Sequence, residues 1–195
     1  MKNTTLNEKT AEIYEALSHK LSPKRLAHTM GVAYTSACLA MSEGIDMNKA
    51  YLAGLLHDCG KYMKDDEFIN YCDEHDIEIS DVERANPALL HSKVGADMAA
   101  REYGIDDADI ASSIRWHTTG HPGMTTLEAI VFTADYIEPG RSHDPELPEI
   151  RQEAFDNLNK AIYHIYRNTM KHLKTSAKTL DPMTEEAYKY YGKEM

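Results

Sequence analysis

Six side chains with the chemistry of metal ligands recur along this chain: His28, the adjacent pair His57-Asp58, His91, His117 and Asp135. Imidazole nitrogen and carboxylate oxygen are the donors a borderline divalent cation prefers, and facing helices can aim several of them at one point. His28, His57, Asp58 and Asp135 could hold one ion from three helices. His91 and His117, on two further helices, would hold a second, with the Asp58 carboxylate bridging the two. Two ions roughly 3.5 to 4 Å apart suit phosphoryl transfer, because they acidify the attacking water and offset charge on phosphate oxygens. Lys61, just after the His57-Asp58 turn, and Arg141 are the candidate phosphate contacts, with Arg25 a third. Thr118 and Thr119 could donate hydroxyl hydrogen bonds beside His117.

Helices have to carry these positions, since the apolar spacing is helical wherever it is readable and no segment alternates convincingly as a strand. Ser22-Pro23 is a helix start, and Leu26, Met30, Ala33, Ala37 and Ala40 mark one face as far as Gly44, with His28 near the beginning. Asp46 can cap a short apolar helix through Leu55 and Leu56 that ends near Cys59-Gly60, where the glycine would supply a left-handed turn. Adjacent side chains diverge by about 100° on a regular helix, so His57 and Asp58 can share an ion only where the helix is ending. Asn86-Pro87 opens a helix that carries His91 and stops at Gly104, and Asp106 or Asp107 opens the next, which runs toward His117. Thr125-Thr126-Leu127-Glu128 matches a capping box for a helix that carries Asp135 and ends at Glu138-Pro139-Gly140. From about Pro148 one long amphipathic helix reads through to Leu173, and Asp181-Pro182 starts a last short one. The expected architecture is all-α, a helical bundle with a central metal site in a single domain over residues 1–195.

The motifs around these ligands carry a resemblance. L-L-H-D-C-G-K at Leu55 to Lys61, with a histidine upstream at His28 and an aspartate downstream at Asp135, resembles the H…HD…D pattern of the HD phosphohydrolase superfamily. R-L-A-H-T-M-G-V-A from Arg25, L-L-H-S-K-V-G-A, W-H-T-T-G from Trp116 and A-D-Y-I-E-P-G-R from Ala134 together resemble the bacterial YqeK family, in order from about residue 20 to residue 175. That resemblance implies an HD-domain helical fold, a di-iron-type centre, and symmetrical hydrolysis of dinucleoside tetraphosphates, with diadenosine tetraphosphate giving two ADP. The turn reads C-G-K where many relatives read Y-A-K, a departure expected to alter packing rather than ligation. Iron is implied by the resemblance alone; Mn, Ni, Co or Zn would suit the same donors. The same pattern would also serve a nucleotidase, a deoxynucleotide triphosphohydrolase, a cyclic-nucleotide phosphodiesterase or, without catalysis, a metal-dependent nucleotide sensor.

Composition narrows the partners. A net charge of −11 repels a polyanion and excludes a duplex nucleic acid as a bulk partner, although cations gathered in one pocket can still receive a small nucleotide. Three cysteines without C-x-x-C spacing give neither a disulfide framework nor a thiolate zinc site, which fits a reducing compartment. With no apolar leader in the N-terminal segment and no run of ~20 apolar residues, a cytoplasmic protein without membrane contact is expected. The long amphipathic helix near the C-terminus makes a homodimer conceivable.

Plainer roles are expected elsewhere. His19, His75, His143, His164 and His172 read as core or surface imidazoles, His121 more as that than as a ligand, and Cys59 as a small packing residue. Asp65-Asp66-Glu67 reads as a solvated face or a helix start, and Tyr188, Tyr190 and Tyr191 as packing for the long helix rather than a platform for a base.

Overall fold

The computed structural model describes residues 6–142, 144–176 and 181–193, so His143 and the first five residues of the N-terminal segment lie outside it. Among the described residues every regular element is a helix, in the order α1 (Leu6–Lys20), α2 (Pro23–Glu43), α3 (Met47–Leu56), α4 (Asp65–Glu74), α5 (Asp81–Ala85), a 3-10 turn at Pro87–Leu90, α6 (His91–Arg101), α7 (Ala108–Trp116), α8 (Thr126–Ile137), α9 (Leu147–Asp156), α10 (Leu158–Ser176) and α11 (Pro182–Tyr191). No helix among them is long and apolar enough to cross a membrane.

The expected caps set where the ligand-bearing helices begin. Ser22 accepts from the Arg25 N–H, Asp46 from those of Asn48 and Lys49, and Thr125 forms a reciprocal box with Glu128. Each such cap contributes about 1 kcal/mol and fixes which face of its helix turns inward. α2 stops at Gly44, whose φ of 69° no β-carbon opposes.

α8 is the axis of the bundle. From Leu127 to Ala134 every residue is buried, and α2, α3, α7, α9 and α10 pack around it; a helix apolar on all sides is stable only when covered on all sides. α2 and α3 approach closely at Gly54, where a β-carbon would fall 2.9 Å from both Ala33 Cα and Ser36 Oγ. Gly54→Ala is therefore expected to destabilise the fold by about 1–3 kcal/mol, although alanine favours a helix by ~1 kcal/mol over glycine. An unchanged urea midpoint would show that the two helices separate freely and are not what fixes His28 against His57.

Three expectations are corrected. α3 ends at Leu56, before His57, and the chain then turns through successive tight bonds, Cys59 N–H to Leu56 O, Lys61 N–H to Asp58 O and Met63 N–H to Gly60 O. Gly60 is not among the left-handed glycines, so the helix is stopped by this run of turns rather than by a glycine cap. Asn86-Pro87 opens a 3-10 turn that leads into α6 only at His91; the last regular residue of that helix is Arg101, and its end is closed by Gly104, which has a φ of 63° and donates its N–H to the Ala100 carbonyl. The long C-terminal helix is two: Asn157 is extended (φ −158°, ψ 96°), and its side chain accepts from the Lys160 N–H to start α10 afresh. Asparagine competes for backbone groups in this way and favours caps over helix interiors. α10 packs within the chain against α8, α9 and α11. α1 and α5 are additions that the apolar spacing did not single out, while Asp65-Asp66-Glu67 proves to be a helix start, with Glu67 accepting from the Lys64 N–H.

Candidate metal centre

All six predicted ligands meet at one place. Asp58, 3% exposed, leaves the helical path at the end of α3 and divides its two oxygens between two histidine pairs. Oδ2 lies 3.5 Å from His57 Nε2 and 3.8 Å from His28 Nε2; Oδ1 lies 3.5 Å from His91 Nε2 and 3.7 Å from His117 Nε2. Asp135, on the third turn of α8, brings Oδ1 to 3.1 Å from His28 Nε2 and 3.9 Å from His57 Nε2. Three overlapping triads result, each with its ligand atoms within 4.8 Å of one another: His28-His57-Asp58, His57-His117-Asp135 and Asp58-His91-His117.

The protonation of these rings bears on whether they could hold a cation. His57, His91 and His117 place Nδ1 at 2.7, 2.6 and 2.7 Å from the carbonyls of Gly54, Ala88 and Ile114. A carbonyl only accepts, so each Nδ1 carries the hydrogen, and each ring when neutral offers a lone pair at Nε2. Those lone pairs converge: His91 and His117 Nε2 are 3.1 Å apart, His28 and His57 Nε2 3.3 Å. Burial, together with the facing positive charges, pushes His91 down to about 3 and His117 to about 4, so a proton is a poor occupant there. Burial also opposes a charge on His57, but the adjacent Asp58 carboxylate outweighs it and raises that ring. Asp58 is buried and Asp135 half-buried, which favours the neutral acid, yet the surrounding histidines hold both well below the usual carboxylate range. Anionic carboxylates and converging imidazole lone pairs form a donor set that fits a borderline divalent metal.

A cleft of about 570 Å³ opens beside His28 and is lined by Ser22, Lys24, Arg25, Gly140 and Arg141 among others. Arg25 Nη1 lies 2.7 Å from Asp58 Oδ2, and Arg141 holds Asp135 through Nη2 to Oδ1 at 2.6 Å and Nε to the main-chain carbonyl at 2.9 Å. Lys61 stands among Asp58, Arg25, Asp135 and Arg141, and burial lowers its pKa. Thr118 Oγ1 lies 3.1 Å from His91 Nε2 and 3.2 Å from His117 Nε2. A larger hollow of about 730 Å³ between α1, α2 and α3 is lined by Tyr14, Met30, Tyr34 and Tyr51 and includes none of the ligands.

Two neighbours of His117 turn away. The Thr119 hydroxyl donates to the Gly120 carbonyl, and the residue lines a different cleft, with Lys93, Arg115 and Trp116. His121 bonds Glu128 and the Pro122 carbonyl and stays outside the cluster. The thiol of Cys59 is fully buried and donates to the Gly95 carbonyl, and burial drives its pKa up, as a packing residue requires. Tyr188 stacks on Tyr163 and Tyr191 on Tyr166, while His164 pairs with Glu153.

The sequence reading missed Lys24 and Glu138. Lys24 was visible only as a basic first turn in P-K-R, and Glu138 was read solely as part of a helix end, although its carboxylate lies against His28 at 3.1 Å.

Comparison with known proteins adds a context for this arrangement. Residues 25–140 match the model of the HD domain family. The chain is 36% identical over 179 residues to a Bacillus subtilis (strain 168) protein named symmetrical bis(5'-nucleosyl)-tetraphosphatase, covering 92% of this chain and 95% of the relative. A protein of the same name from Staphylococcus aureus (strain NCTC 8325 / PS 47) is 36% identical over 175 residues, 89% of each chain. A crystal structure described as a predicted HD superfamily hydrolase involved in NAD metabolism, from Clostridium acetobutylicum, superposes with a TM-score of 0.91 at 37% identity, over 95% of this chain and 97% of that one.

Proposed function

The chain belongs to the HD-domain family, and from that membership and the geometry around Asp58 we propose a metal-dependent hydrolase that cleaves dinucleoside tetraphosphates symmetrically, diadenosine tetraphosphate giving two ADP. The relatives' names support the reaction. The observation that carries it here is the Asp58 carboxylate, which turns one oxygen to His28 and His57 and the other to His91 and His117.

His28, His57, Asp58 and Asp135 would hold one divalent ion, and Asp58, His91 and His117 a second. Iron is what the family likeness implies, with Mn, Ni, Co or Zn suited to the same donors. Ions bound there would acidify a water and offset charge on the phosphate oxygens. The protein's own part is to orient and enclose. Carbonyl anchors at Nδ1 keep the Nε2 atoms of His57, His91 and His117 aimed inward, and burial of those rings excludes bulk water. Arg25, Lys61 and Arg141 would steady the polyphosphate, the two arginines through the N–H groups that Asp58 and Asp135 leave free. A nucleoside diphosphate is a good enough leaving group for such electrostatic stabilisation to suffice.

Lys61 reports on the phosphate contacts without disturbing a ligand, because neither Asp58 nor Asp135 hydrogen-bonds to it among the described contacts. Lys61→Met is expected to lower kcat/KM by roughly 10- to 100-fold, the equivalent of one charged hydrogen bond of ~1.5–3 kcal/mol, with metal content unchanged. Wild-type kinetics would place the substrate elsewhere. The reaction itself is tested by incubating anaerobically metal-loaded protein with a panel of dinucleoside polyphosphates and mononucleotides and identifying the products by chromatography. Two nucleoside diphosphates from the tetraphosphate are expected. A mono- and triphosphate pair would overturn the symmetrical assignment, and binding without turnover in Fe or Mn would identify a nucleotide sensor.

A further inference from the structure

The four imidazoles of the cluster are not held alike. His57, His91 and His117 each lean on a main-chain carbonyl, whereas His28 Nδ1 lies 3.1 Å from a carboxylate oxygen, Glu138 Oε1. Glu138 is 4% exposed and restrained from several sides. Its Oε2 accepts from the Gly140 N–H at 2.5 Å, and its main-chain carbonyl accepts from Arg141 N–H and Arg151. α2 makes room for it with Gly31, where a β-carbon would fall 2.5 Å from Oε2. The helix itself disfavours an acid here, since Glu138 caps the C-terminus of α8, the end of a helix that favours cations.

We infer that Glu138 is a positioning residue for metal retention. Its carboxylate accepts the Nδ1–H of His28, which fixes the tautomer with the lone pair on Nε2, aimed at Asp58 and Asp135, and makes that imidazole a stronger donor. Through Gly140 the same carboxylate steadies the turn that carries Arg141, whose guanidinium holds Asp135. One buried acid thereby orients two ligands of the same ion. The inference rests on the reading of His28 and Asp135 as ligands.

Glu138→Gln tests this because an amide cannot serve both neighbours. If its oxygen accepts from His28, its NH2 faces the Gly140 N–H; flipped, it imposes the wrong tautomer on His28. Gly31→Ala is the independent variant, since it displaces the carboxylate while leaving every ligand and charge in place. Both are expected to weaken Co(II) binding by about 10- to 100-fold in competition with a chelator, and to shift the visible absorption of the Co(II)-loaded protein, with the far-ultraviolet circular dichroism unchanged. Glu138→Asp, which keeps a carboxylate, should recover part of the affinity. Wild-type affinity and spectrum in both Glu138→Gln and Gly31→Ala would overturn the inference, as would a complete failure of Glu138→Asp to recover any binding. Wild-type protein that binds Co(II) with this dependence on Glu138 but hydrolyses no dinucleoside tetraphosphate would remove the proposed substrate and leave the role of Glu138 standing. Wild-type protein that binds no Co(II) would overturn both.

Discussion

Asp58→Ala protein is expected to fold, to retain neither metal ion and to lose turnover by about 1000-fold or more, beyond the ~10- to 100-fold typical of outer partners of a metal. That loss corresponds to about 4 kcal/mol of transition-state stabilisation at 1.36 kcal/mol per decade. The size of the effect follows from the position of one side chain. Both oxygens of Asp58 are committed, each to a different histidine pair, so truncation would remove a ligand from both of the proposed ions at once. It also leaves Arg25 without its carboxylate and His91 and His117 without the anion their Nε2 atoms face. Metal content and hydrolysis of diadenosine tetraphosphate, measured on the same preparation, decide the matter. A folded, metal-free Asp58→Ala protein with full turnover would end the mechanism.

His91→Ala should separate the two ions. His91 and His117 approach Asp58 at Oδ1, whereas His28 and His57 approach it at Oδ2, so removing His91 is expected to halve the metal content and to spare the first ion. Turnover should fall by about 100-fold, near 3 kcal/mol, because the phosphate then faces one cation where two would share its charge. Metal analysis after gel filtration, paired with kinetics, is the check. Wild-type metal content would reduce His91 to a core histidine satisfied by the Ala88 carbonyl and the Thr118 hydroxyl, and would leave the two-ion reading without its second site.

Much of this centre was legible in one dimension because its signals are local. A ligand is recognisable by residue type, and a helix start by a Ser, Asp or Thr a fixed distance before an apolar run; Ser22, Asp46, Asp107, Thr125 and Asp181 all cap as such patterns require. What failed was also instructive. The break at Asn157 hides in an unbroken amphipathic pattern, since the apolar rows of α9 and α10 continue in phase while the backbone does not. Thr119 shares its motif with Thr118 but turns its hydroxyl to the Gly120 carbonyl, a choice made by the loop geometry after α7 rather than by residue type.

By itself, the sequence determined a helical chain and singled out six candidate metal ligands on or just beyond the ends of its helices, because residue type, caps and apolar spacing act over a few neighbouring residues. Only the tertiary structure decided that Asp58 divides its oxygens between two histidine pairs, that Arg25 and Arg141 lie on the ligand carboxylates, and that Glu138 backs His28 across 110 residues. Such partners are set by the close packing of α2, α3 and α8, and no local pattern records which side chains that packing brings within hydrogen-bonding distance.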